Sequence, residues 1–136
     1  MSPRSRFVLD VLAALIIAAV AIETAPARTP RTVVVDETFD NRRVMVNYGD
    51  TLIVRLPTNP STGYSWSVAE SSPLVQFVGQ STGPGNGVPG SPTTQALTFR
   101  VVSAGGAKAG RVVLVYQRSW QPGGGGKTFS VSLAVS

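Results

Sequence analysis

The side chains that could do chemistry in this chain are few, and the absent types are the most informative. There is no Cys and no His. Thiol nucleophiles, disulfides, His-based triads and His metal sites are therefore all excluded. From Arg28 onward the carboxylates are Asp36, Glu37, Asp40, Asp50 and Glu70. Acid–base work by two carboxylates needs a cleft and shifted pKa values. Asp36, Glu37 and Asp40 fall in or beside a first strand, where solvated charges on a strand face and turn are ordinary. The chain is not expected to be an enzyme, and it calls for no cofactor and no metal.

What remains is a set of residues suited to contact rather than catalysis. In Asn59-Pro60-Ser61-Thr62-Gly63-Tyr64-Ser65-Trp66, Pro60 fixes its own φ and pushes Asn59 out of the helical region. Gly63 admits a positive φ, while Asn59, Ser61 and Thr62 can bond nearby backbone groups. Tyr64 and Trp66 then share one face of a strand. The expectation is a stiff polar loop at residues 57–63, on the rim of a β-framework. A second loop, residues 81–92, holds Gly83, Pro84, Gly85, Gly87, Pro89, Gly90 and Pro92 and cannot support regular structure. A third, residues 118–126, contains Arg118-Ser119-Trp120-Gln121-Pro122 and then a glycine run from 123 to 126. Trp120 lies outside any strand alternation and is expected at an interface. Trp66 is expected in the core, with Tyr64 and Tyr116 at the core or its edge.

The elements that must carry these loops are strands. Thr32 to about Phe39 begins with β-branched residues. Val44, Val46 and Tyr48 alternate with Met45 and Asn47, and Leu52, Val54 and Leu56 alternate next. The intervening Gly49-Asp50 predicts a hairpin between those two runs. Further short strands are expected at 64–68, 74–78, 95–102, 111–117 and 127–135. No helical period appears after residue 27. The fold class expected is all-β: an antiparallel, immunoglobulin-like sandwich of seven to eight strands, held without a disulfide.

The chain of 136 residues carries a net charge of +5, and from Arg28 on ten Lys/Arg face five Asp/Glu. The basic residues are scattered singly apart from Arg42-Arg43, with no interleaved aromatics. No nucleic acid is expected as a partner; an acidic protein partner suits the charge better. Arg4 and Arg6, an apolar run from Phe7 to Ile22 broken by Asp10, and Ala25-Pro26-Ala27 read as an export signal over residues 1–27. The alternative is that 1–27 stays as an anchor, the one way a membrane would enter. The domain is then residues 28–136, exported to the periplasm or secreted, and monomeric.

Residues 32–135 resemble the chagasin family of cysteine peptidase inhibitors. The match rests on Asn59-Pro60-Ser61-Thr62-Gly63-Tyr64, on Gly87-Val88-Pro89-Gly90, and on Arg118-Ser119-Trp120 following Tyr116, in that order along one β-rich domain. Ser61, Pro89 and Ser119 depart from the family pattern; Ser119 stands where Pro is usual. The resemblance implies a reversible, non-covalent, tight-binding inhibitor of papain-like cysteine peptidases, of cathepsin L or bacterial type. It implies that the three loops enter the substrate cleft together. Thr62 would lie nearest the catalytic cysteine, the glycine-rich loop on the non-primed side and Trp120 on the primed side. Arg118 would either support its loop or reach a peptidase carboxylate. The competing reading is an exported immunoglobulin-like adhesion module using the same loops on another protein ligand.

Overall fold

The alternating runs form eight strands: β1 (Thr32–Val35), β2 (Arg42–Val46), β3 (Thr51–Thr58), β4 (Tyr64–Ser71), β5 (Val75–Thr82), β6 (Thr93–Val101), β7 (Ala109–Arg118) and β8 (Thr128–Val135). The computed structural model describes residues 29–83, 90–121 and 126–136. The expected export segment, residues 1–27, lies outside the described residues. So do Gly87, Val88 and Pro89 of the second loop.

The strands build two four-stranded sheets, in the orders β1-β3-β6-β5 and β2-β8-β7-β4. Because side chains alternate across a strand, each sheet turns one apolar face to the other. Leu52, Val54, Leu56, Leu97, Phe99 and Val101 come from the first sheet. Val44, Val46, Trp66, Val112, Leu114, Phe129, Val131 and Leu133 come from the second, and all are buried. Full burial of one such side chain contributes about 1.5–3 kcal/mol. With no disulfide, this interior holds the domain. The all-β, immunoglobulin-like sandwich expected from the alternation is what the chain forms.

Four pairings are antiparallel, while β1 on β3 and β2 on β8 are parallel. The parallel β1–β3 pair arises because β2, between them in sequence, belongs to the opposite sheet. Two reversals of direction return the chain to the heading it had in β1.

Several expected boundaries change. The hairpin at Gly49-Asp50 does not form, since β2 and β3 lie in different sheets. Alternation fixes which face of each run is apolar, but not whether two runs pair side by side or face each other across the core. The turn is closed by Asp50 N–H donating to Asn47 O (3.1 Å), while Gly49 N–H donates to Val101 O (2.8 Å) and starts the chain on β6. β1 stops at Val35 rather than Phe39, because the Asp36 carboxylate accepts from Thr38 N–H (2.9 Å) and caps a 3₁₀ turn over Glu37–Phe39. That turn carries the chain across to the second sheet. β3 runs on to Thr58, β5 to Thr82 and β7 to Arg118, so the first loop opens at Asn59, the second at Gly83 and the third at Ser119.

The sheets are also tied by polar bonds near the loop end. On the edge strand β4, Trp66 N–H donates to Gln95 Oε1 and Trp66 O accepts from Gln95 Nε2, both at 2.8 Å. Gln95 lies on β6 and is 2 % exposed. Its amide takes the place of a missing neighbouring strand and fixes β4 against the opposite sheet.

Candidate functional site

The loop between β3 and β4 folds on itself. Pro60–Thr62 form one 3₁₀ turn, with Thr62 N–H donating to Asn59 O (3.1 Å) and Gly63 N–H to Pro60 O (3.0 Å). Proline fits the first turn because its φ is preset and its missing N–H had no partner to lose. Gly63 ends the turn at φ 80°, in the left-handed region. Two hydroxyls stiffen it further: Thr62 Oγ1 donates to Asn59 O and Ser61 Oγ to Asn59 Oδ1, both at 2.7 Å.

Asn59 joins this loop to the other two. Its N–H donates to the Tyr116 hydroxyl on β7 (3.0 Å), and its Nδ2 donates to Gly90 O (2.8 Å) in the second loop. Gly90 has φ 83°. The third loop turns at Arg118–Gln121, where Gln121 N–H donates to Arg118 O (3.1 Å). Arg118 Nε donates to Thr62 O (3.2 Å). Its guanidinium lies 4.7 Å from the centre of the Tyr64 ring and 5.7 Å from that of Trp120.

Trp120 is 64 % exposed, which agrees with its expected place outside the core. It is nonetheless seated. A Cβ built on Gly63 would stand 2.3 Å from Trp120 Cη2, so the indole rests directly on the glycine. Gly63 therefore answers two demands, a positive φ and room for an aromatic ring. A chain of ring contacts runs from this exposed end into the core. Tyr64 and Tyr116 have centroids 5.3 Å apart, and Tyr116 stacks on Trp66 at 5.0 Å. Trp66 is 6 % exposed, as expected of a core residue, and its Nε1 donates to Pro57 O (3.0 Å).

Of the residues singled out in the sequence, the structure brings Asn59, Pro60, Ser61, Thr62, Gly63, Tyr64, Gly90, Arg118, Ser119 and Trp120 to one end of the sandwich. Three supports were not read there from sequence. Tyr116 is expected at the core or its edge and packs against the core, and in addition its hydroxyl holds Asn59. Gln95 looked like an ordinary strand residue. Gly126, named only as the end of a glycine run, is a steric requirement: a Cβ there would come 1.6 Å from Tyr116 O. The pattern of a tyrosine two residues before the loop arginine was visible, but nothing local showed where its hydroxyl pointed.

Arg118 is the one charged residue within 57–63, 81–92 and 118–126. Glu37 and Asp40 stand beside the loops, lining a cavity with Pro57, Trp66, Tyr116 and Lys127. Asp50, at the opposite end of β3, is 1 % exposed and accepts from Arg31 N–H (3.1 Å), Arg31 Nε (3.4 Å) and Asn47 N–H (2.9 Å). Burial pushes its pKa up, but the bonds from the Arg31 and Asn47 amides and from the Arg31 guanidinium together outweigh this and hold it below the ordinary value. Among the described residues no group of acidic side chains is arranged to hold a metal.

Comparison with known proteins gives this surface a setting. The family described as Chagasin family peptidase inhibitor I42 matches residues 45–134, more than half of the chain. Amoebiasin-1 of Entamoeba histolytica is 29 % identical over 102 residues, covering 73 % of this chain and 95 % of that protein. The solution structure of Amebosin superposes with a TM-score of 0.59 at 28 % identity, over 79 % of this chain and all of that one. The crystal structure of the cysteine protease inhibitor EhICP2 from Entamoeba histolytica gives 0.65 at 18 % identity, over 82 % of this chain and all of that one, a likeness of fold. The sandwich, the order of the loops and the match across its strands agree: this chain belongs to the chagasin family of peptidase inhibitors.

Proposed function

We propose that the protein inhibits papain-like cysteine peptidases by filling their substrate cleft with the surface built on Asn59. The observation that carries this reading is the mutual bonding of the loops, with Asn59 held by Tyr116 and Gly90, and Thr62 held by Arg118. Loops bound to one another before encounter lose little freedom on binding, and the ordering cost of association falls accordingly.

The same geometry explains how a peptide loop could enter a peptidase cleft and survive. A substrate presents an extended backbone with free carbonyls. Here Asn59 O accepts from Thr62 N–H, Pro60 O from Gly63 N–H and Thr62 O from Arg118. The backbone is coiled into a turn, and these carbonyls already have partners within the loop surface. Cleavage would first require that network to open. In this reading Thr62, exposed at the tip, stands nearest the catalytic cysteine. The second loop, with Gly87, Val88, Pro89 and Gly90, covers the non-primed side, and Trp120 supplies the primed-side anchor. Binding is reversible, forms no covalent bond and needs no cofactor. The inhibitor acts as a monomer outside the cytoplasm, either free after loss of residues 1–27 or tethered by them; N-terminal sequencing of the mature protein separates the two.

The test is titration of papain and of a cathepsin L-type enzyme with the purified protein and with Thr62→Arg and Trp120→Ala variants. One-to-one loss of activity, release of uncleaved inhibitor and weakening by both variants are expected. Truncating a central aromatic anchor commonly costs about 2 kcal/mol or more. A folded protein that leaves both enzymes active at micromolar concentration would overturn the proposal in favour of an adhesion module.

A further inference from the structure

Arg118 and Tyr64 sit on the surface just described, and each could be taken for a direct contact of the peptidase. We propose instead that both are positioning residues that act through Trp120, an inference that rests on the inhibitory reading above. Arg118 Nε is bonded to Thr62 O, and the guanidinium lies over the rings of Tyr64 and Trp120. One of its donors and the face of its guanidinium are thus engaged by the protein's own loops. Tyr64 packs between that guanidinium and Tyr116, which in turn stacks on buried Trp66. An exposed indole on a loop would ordinarily sample several rotamers. This one has Gly63 beneath its six-membered ring and a cation beside it, the cation being held by a column of rings that ends in the core. The column makes an exposed anchor rigid without burying it.

The consequence is specific. The positive charge at position 118 matters because it is planar and stacked, and lysine, a compact charge without the planar fork, cannot replace it. At position 64 the ring matters, since among the described residues no hydrogen bond engages the Tyr64 hydroxyl.

Nuclear magnetic resonance of the free protein reads this directly, through the dynamics of its two indole N–H groups. The Trp66 indole, bonded to Pro57 O, serves as an internal reference for correct folding. The Trp120 indole is expected to be rigid in the wild type and in Tyr64→Phe. It is expected to become mobile in Arg118→Gln, Arg118→Lys and Tyr64→Leu while the Trp66 signal stays in place. Against papain, Arg118→Gln should weaken inhibition by about 3- to 30-fold, the range for loss of a cation–π contact. Combined with Trp120→Ala it should add less than that factor, because the residue it positions is already gone. A Trp120 indole that stays equally rigid in Arg118→Gln and Tyr64→Leu would overturn the inference, as would factors that multiply fully in the double variant. If the wild type fails to inhibit papain, the function proposal falls, and the indole dynamics still decide this one.

Discussion

Gly63→Ala is the perturbation whose effect can be worked out most completely from the structure. Two costs arise, and they are separable. The first is conformational: φ at 63 is 80°, and a left-handed backbone costs an L-residue with a Cβ about 1–2 kcal/mol. The second is steric. The new Cβ would lie 2.3 Å from Trp120 Cη2, 3.0 Å from Cζ3 and 3.2 Å from Cζ2. Trp120 is largely exposed, so the ring will swing away rather than the domain unfold. That displacement forfeits the cation–π contact with Arg118, about 0.5–1 kcal/mol at an exposed site. It also misplaces the proposed anchor. Gly105→Ala, between β6 and β7 and away from the three loops, supplies the control, since φ there is 63° but its Cβ would meet nothing within 4 Å. Both variants should lose about 1–2 kcal/mol of stability in urea denaturation from backbone strain alone. Gly63→Ala should in addition lose roughly 30-fold in papain inhibition, the equivalent of about 2 kcal/mol at an aromatic hot spot. In a Trp120→Ala background that extra loss should vanish, because nothing is left to displace. The reasoning is refuted if Gly63→Ala and Gly105→Ala inhibit equally well, or if the extra loss persists without Trp120.

Tyr116→Phe keeps the ring column but removes the acceptor of Asn59 N–H. It should cost about 1 kcal/mol of stability, the usual net worth of such a bond, and should speed dissociation from the peptidase in stopped-flow displacement. Ser119→Pro should tighten inhibition and raise stability by about 0.4–1 kcal/mol. Position 119 is the second residue of a hydrogen-bonded turn that favours proline, its φ is not positive, and the preceding Arg118 is extended in β7; unchanged affinity would count against a preorganised third loop. Asp50→Asn should lose about 1–3 kcal/mol at neutral pH, because an amide cannot accept from all of its present donors. Since the folded pKa of Asp50 is depressed below 3.8, its contribution is complete above that value and disappears as the pH falls through the folded pKa. The gap between wild type and variant in denaturation should therefore close in strongly acidic buffer, and a gap independent of pH would contradict the assignment.

The sequence by itself determined the class of fold, the inner faces of most strands and the residues of the three loops. Those properties are local: alternation needs only a two-residue period, and Pro60, Gly63 and Gly90 declare their backbone requirements in place. It also excluded thiol and imidazole chemistry outright, since a missing residue type cannot be supplied by folding. Only the tertiary structure decided partnership. Whether Gly49-Asp50 joins neighbours or opposing layers depends on where β8 and β6 lie, far along the chain. The bond from Asn59 to Tyr116, the clamp of Gln95 on Trp66 and the seat of Trp120 on Gly63 link residues 57, 29 and 57 positions apart. Contacts of that separation leave no periodic trace, because each depends on how two sheets are stacked and not on either segment alone. The loops could be read from the chain; that their described residues are bonded to one another at one end of the sandwich followed from the packing beneath them.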